Sequence, residues 1–138
     1  MKTYEEFVEH MESKYPKMFS EQYGGFDIGE GWWHIVSSLC AQIQEHIDWW
    51  NKNRKERPVV EQVIVSQVKE KFGGLRFYYD GVDEKISGMV QMAEVWASHT
   101  CEVCGKPGHS RGGSYIQTLC DEHAKPREKP KAPDWHPV

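Results

Sequence analysis

The residues best suited to chemistry lie close together near the carboxyl end of this 138-residue chain, in the stretch CEVCGKPGHSRGGSYIQTLCDEH, Cys101 to His123. It holds three of the four cysteines and two of the seven histidines. The spacing is C-x2-C, fifteen residues, then C-x2-H. Two sulfurs two residues apart reach one ion only if the backbone turns sharply between them, and Gly105, directly after Cys104, supplies that turn. For the second pair, Thr118 and Asp121 match a capping box, so a helix is expected to start at Leu119. Cys120 and His123 would then share one face of its first turn. SYIQT between the pairs is expected to return as a strand from a GHSRGG turn. A turn, a hairpin and a helix carrying Cys101, Cys104, Cys120 and His123 is a treble-clef-like zinc arrangement. Three Cys and one His make a closed tetrahedral set, which favours a structural zinc over a catalytic one.

Other chemistry in the same stretch fits less well. Cys101, Cys104 and His109 begin a retroviral-type knuckle, but its fourth ligand would fall on Ser114. His109 is therefore placed on the hairpin turn, exposed to a partner, and His99 is a weaker spare ligand. A zinc deaminase would need H-x-E with P-C-x-x-C, which is absent. A nuclease of the HNH type needs a second metal on hairpin and helix histidines, and only His109 stands there.

Two further clusters invite a functional reading. Lys69, Lys71 and Arg76 flank a turn in KEKFGGLR; with Arg111 they are candidate phosphate or carboxylate contacts, against the plainer reading of a solvated hairpin tip guarded by lysine. Asp27 and Glu30 beside Trp32, Trp33 and His34 suggest an acid–base pocket. The plainer alternative is a helix entry with acids at its positive end and two indoles closing the core.

Elements must position these residues. Tyr4, Phe7, Val8, Met11 and Tyr15 recur at helical spacing behind a Thr3/Glu6 capping box, and Pro16 ends that helix. Four glycines between 24 and 31 make a loop. Val36, Leu39, Cys40, Ile43, Ile47 and Trp50 then form the buried stripe of a second helix, with Cys40 as a small hydrophobe. Residues 59–81 are rich in β-branched and aromatic types and read as a hairpin about Phe72-Gly73-Gly74, with imperfect alternation near Val63–Val68 that leaves room for a bulge or a helical first half. Of Tyr78 and Tyr79, on opposite faces, one is expected in the core. Asp83 caps a third helix with Ile86, Met89, Val90, Ala93 and Trp96 or Ala97 inward. The fold class is α+β: helices packed on a β-hairpin, residues 1–98, a zinc module at 99–125, and a Lys/Pro-rich tail at 126–138 whose DWHPV could dock.

Bulk properties narrow the partners. Net charge is −4, and basic and acidic residues number seven and ten in 1–57, four and six in 58–100, and six and five in 101–138. No segment is basic enough to coat DNA irrespective of sequence. No apolar run approaches the roughly 18 residues of a membrane span, and the amino terminus lacks a signal-type apolar region, so a cytoplasmic location is expected. In that reducing compartment clustered cysteines bind metal more readily than they form disulfides.

GEGWWHIVSSLCAQIQEHI, QVKEKFGGLRFYYDG, AEVWASHTCEVCGKPG and TLCDEHA together resemble a family of small, mostly uncharacterised proteins of phages, prophages and bacteria. The resemblance spans roughly residues 24–124. It implies a phage-type accessory protein and carries over no catalytic residue. The expected function is a non-enzymatic, zinc-stabilised binding protein that modulates a host or phage protein, or a protein–nucleic-acid complex, with antagonism of a host defence as one instance. Direct nucleic-acid binding is the alternative, and an HNH-like nuclease a third.

Overall fold

The computed structural model describes residues 3–20 and 22–127; the tail segment from residue 128, with DWHPV, lies outside the described residues. Mixed helix and sheet make the architecture α+β. Helix α1 runs Tyr4–Lys14, and the Thr3 side chain caps it by accepting from the Glu6 N–H. Phe7 and Met11 are its buried face. Helix α2, Trp33–Asn53, buries the expected stripe from Val36 to Ile47, with Trp50 half-buried at its end. Helix α3, Glu84–Ala97, starts at Asp83, whose carboxylate accepts from the Ile86 N–H, and turns Ala97 rather than Trp96 inward.

Strand β1, Phe26–Asp27, pairs in parallel with β2, Ile64–Lys71, which pairs antiparallel with β3, Gly74–Asp80. The β1 strand falls inside the glycine-rich loop, where two residues leave no alternation to read. A register shift between Val65 and Gln67 is the bulge behind the imperfect alternation. Val65, Val68, Leu75 and Phe77 face the helices and are buried; Tyr79 packs against the same core, while Tyr78 faces outward. Phe7 stacks on Trp33 at 4.9 Å and meets Phe26 edge-on at 4.9 Å, which ties α1, α2 and the sheet into one core.

The β2–β3 turn is tighter than the three residues Phe72-Gly73-Gly74 suggest. Gly74 already belongs to β3, and the two turn residues, Phe72 and Gly73, both take positive φ, +52° and +78°. For a residue with a Cβ that conformation costs about 1–2 kcal/mol.

The rest of the described chain stands on this body. Beyond Thr100, strands β4, His109–Arg111, and β5, Gln117–Leu119, form a second antiparallel hairpin, followed by a one-turn helix α4, Asp121–Ala124. Leu119, Ala124, Cys101 and Cys120 make its own small core. The 3-10 turn Glu30–Trp32 carries the joint: the Gly31 N–H donates to the Glu102 carbonyl at 2.7 Å, and the Trp32 indole N–H donates to the Thr100 carbonyl at 2.8 Å. A Cβ at Gly31 would lie 2.0 Å from the Cys101 carbonyl oxygen and 2.6 Å from the Gly105 nitrogen, both backbone atoms. Gly31→Ala is therefore expected to destabilise the protein by about 3 kcal/mol or more, the range of severe core overpacking, in urea unfolding followed by tryptophan fluorescence. A loss below about 0.5 kcal/mol would show that the joint yields.

Candidate metal centre

The backbone from Thr100 to Gly108 folds back on itself. Thr100 bridges Pro107, the Cys101 N–H donates to the Lys106 carbonyl at 2.8 Å, and the Gly105 N–H donates to the Cys101 carbonyl at 2.9 Å. Gly105 takes φ +81°, the left-handed turn expected after Cys104. This places the Cys101 and Cys104 sulfurs on one side of the turn.

The second pair reaches the same point by a different route from the one expected. Thr118 lies in β5, opposite Ser110, and its hydroxyl donates to the Gly73 carbonyl at 2.7 Å, so it is not a helix cap. The helix starts at Asp121 instead of Leu119. Cys120 is itself the N-cap, its sulfur accepting from the His123 N–H at 3.4 Å. One turn still separates the two side chains, and both point to the same side.

The four donors converge. Cys101 Sγ, Cys104 Sγ, Cys120 Sγ and one His123 nitrogen all lie within 4.8 Å of one another. Cys104 Sγ is 3.7 Å from Cys120 Sγ, and His123 Nδ1 is 3.7 Å from Cys101 Sγ and 3.3 Å from Cys120 Sγ. Metal–sulfur bonds of about 2.3 Å in a tetrahedron put sulfurs about 3.8 Å apart, and a nitrogen edge is slightly shorter. The cluster thus fits a tetrahedral ion, with His123 Nδ1 as the nitrogen donor. Cys101 is 0% exposed and Cys120 6%, while Cys104 is at the surface.

Electrostatics also favour a cation. Burial pushes the Cys101 thiol up, yet main-chain N–H groups of Cys120, Cys104 and Val103, with the Cys104 thiol, outweigh it and bring Cys101 down to about 6. Cys104 moves the other way: the Lys106 N–H favours its thiolate, but desolvation and the neighbouring Cys101 and Cys120 sulfurs prevail and push it up. Thiolates this close repel one another unless a positive charge sits between them.

The remaining candidates are dispersed. His109 is on strand β4 rather than on the turn, which spans 112–116, and it is exposed as expected. Arg111 is engaged within the module: its guanidinium donates to the Leu119 carbonyl at 3.0 Å and to the Asp121 carboxylate at 2.9 Å, which holds that carboxyl below its ordinary value. His99 contacts Ser98 and the Val95 carbonyl, away from the sulfurs. Lys69 and Arg76 are direct cross-strand partners, with Lys71 two residues along. Trp32 and Trp33 are both buried, Asp27 is on β1, and Glu30 and His34 share a shallow surface depression over Trp33 with no hydrogen bond between them. Glu102 was not singled out by spacing, yet it matters: its carboxylate accepts from the Gly29 N–H at 2.9 Å, and burial pushes it up, with Glu70 and Asp27 adding to the effect. Comparisons with protein-family models, curated proteins and solved structures give no match.

Cys104→Ser is expected to remove nearly all bound metal, measured by elemental analysis of protein purified without chelator. In hydrogen exchange, amides from Cys101 to Ala124 and that of Gly31 should lose protection while β2, β3 and α2 keep theirs. Full metal content with an unchanged exchange map would refute the ligand set.

Proposed function

We propose that the chain is a non-enzymatic binding protein stabilised by one structural zinc in a treble-clef-like module. One observation supports this reading: four donors from the chain itself lie within 4.8 Å of one another, enough to fill a four-coordinate shell without water or substrate. Zinc suits that donor set because it prefers four-coordinate Cys/His sites and has no redox chemistry of its own. Bound there, it cross-links the turn at Cys101–Gly105 to the start of α4.

A second feature indicates where a protein partner would contact the chain. An apolar groove of about 370 Å³ lies between α2 and α3, lined by Ile35, Leu39, Gly88, Met89, Met92 and Trp96. Met92 is 67% exposed, and Trp49 stands further along the same helix pair, 59% exposed. Gly88 is in the interior of α3, where glycine costs about 1 kcal/mol relative to alanine, and nothing lies within 4 Å of where its Cβ would be. Methionines and a tryptophan around an open floor suit an apolar side chain from another protein. With the resemblance noted above, this supports a phage-type accessory factor acting on a host or phage protein; antagonism of a defence system is the specific instance we favour. Among the described residues no helix is long and apolar enough to cross a membrane.

Elemental analysis should find one zinc per chain; iron in its place would overturn the metal assignment. Met92→Asp should leave the melting temperature within a few degrees, because the side chain is already exposed, and should weaken capture of the wild-type partner from host lysate about tenfold or more. Equal capture would remove the groove from the reading. Cleavage of plasmid with Mg2+ or Mn2+ that vanishes in His109→Ala would replace the reading with a nuclease.

A further inference from the structure

The tip of the β2–β3 hairpin breaks a local rule. A two-residue turn with both central residues at positive φ suits Asn, Asp or Gly at its first position. Here that position is Phe72, at φ +52°. Its ring is 74% exposed, so burial does not offset the strain.

The fold holds this conformation from behind. Gly73 is buried: its N–H donates to the Glu70 carboxylate at 3.1 Å, and its carbonyl accepts the Thr118 hydroxyl. A Cβ at Gly73 would meet the Ile116 side chain at 3.0 Å. The second hairpin thus pins the turn and leaves the Phe72 ring in solvent, with the Lys71 ammonium 5.8 Å from its centroid. Strain that the surroundings enforce, on a side chain the interior does not use, points to a contact outside the molecule.

The adjoining sheet face has matching chemistry. Register places Lys69 beside Arg76 and Gln67 beside Tyr78, all on the face turned away from the helices, with Lys71 at its end. Tyr78 is exposed. Among the described residues no carboxylate lies within ion-pair distance of Lys69, Lys71 or Arg76; the ion pairs there belong to His46, Lys106 and Arg111. Asp27 is the register partner of Lys69 on β1, the edge strand, beyond ion-pair distance, and Asp80 stands at the far end of β3.

We propose that this face and tip bind single-stranded nucleic acid, with Phe72 and Tyr78 stacking on bases and Lys69, Lys71 and Arg76 tracking the phosphates. An open sheet carrying aromatics and cations offers stacking platforms that only unpaired bases can use. Three cations are too few to hold a duplex by charge alone. The site is on the opposite side of the sheet from the α2–α3 groove and does not depend on the partner proposed for that groove.

The test is fluorescence anisotropy of the full-length protein with labelled oligothymidylate and oligouridylate of roughly 20 nucleotides. A duplex of equal length and poly-L-glutamate serve as competitors. Single strands should bind with a log–log salt slope of about −2, the value for three phosphate contacts. Phe72→Asn should weaken binding about tenfold or more while the melting temperature stays level or rises, since Asn-Gly is the favoured pair for this turn. A double Lys69→Gln/Arg76→Gln variant should flatten the slope to about −0.7. The proposal fails if neither single strand binds at low salt, or if Phe72→Asn binds as well as wild type. It also fails if poly-L-glutamate or duplex competes as strongly as single strand, which would make the face a docking site for acidic protein or a generic polyanion trap.

Discussion

A single methyl group would not fit at position 31, because the Cys101 carbonyl and the Gly105 amide already occupy its place. Backbone meets backbone there, and the contact sets the relation between the helical body and the cysteine-bearing turn. The Gly31 amide and the Trp32 indole each donate across the same seam, to Glu102 and Thr100. Glu102 answers with its side chain on Gly29 and its own amide on Thr118. The sulfurs are therefore aligned by elements far away in the chain, and the Cys/His cluster sits at a joint between the two parts of the fold.

The same seam fixes how two separate cores sit against each other. The large core of α1–α3 and the first sheet does not extend into the small cluster of Cys101, Leu119, Cys120 and Ala124. What crosses between them is polar and main-chain: Trp32 to Thr100, Gly31 to Glu102, Thr118 to Gly73. Such hydrogen bonds are directional, and buried donors or acceptors left without partners are costly, so they specify one arrangement where apolar packing alone would permit several.

Periodicity made the three long helices readable, and the β-branched run made the first hairpin so, because each buries one face and must repeat its apolar residues at the matching interval. Spacing likewise singled out four residues whose donor atoms the fold brings within 4.8 Å of one another, since geometry permits few ways for C-x2-C and C-x2-H to meet. What escaped notice has local causes. Strand β1 is too short to show alternation. Thr118 resembles a cap in sequence, but its hydroxyl is committed to Gly73, a contact 45 residues distant that no local pattern encodes. Glu102 looks like an ordinary surface acid until Gly29 is seen beside it, and nothing in the residue type of Phe72, though it is read in the turn, announces its positive φ.

The four donors are not equally sheltered. Two sulfurs are sealed beneath the seam, whereas that of Cys104 opens to solvent. A metal bound by these four residues would be most open at Cys104, with the half-buried His123 next, so chelators, oxidants and competing thiols would meet that sulfur first. Release would then proceed as an unzipping from that corner, with the buried partners letting go only after the outer bond has gone.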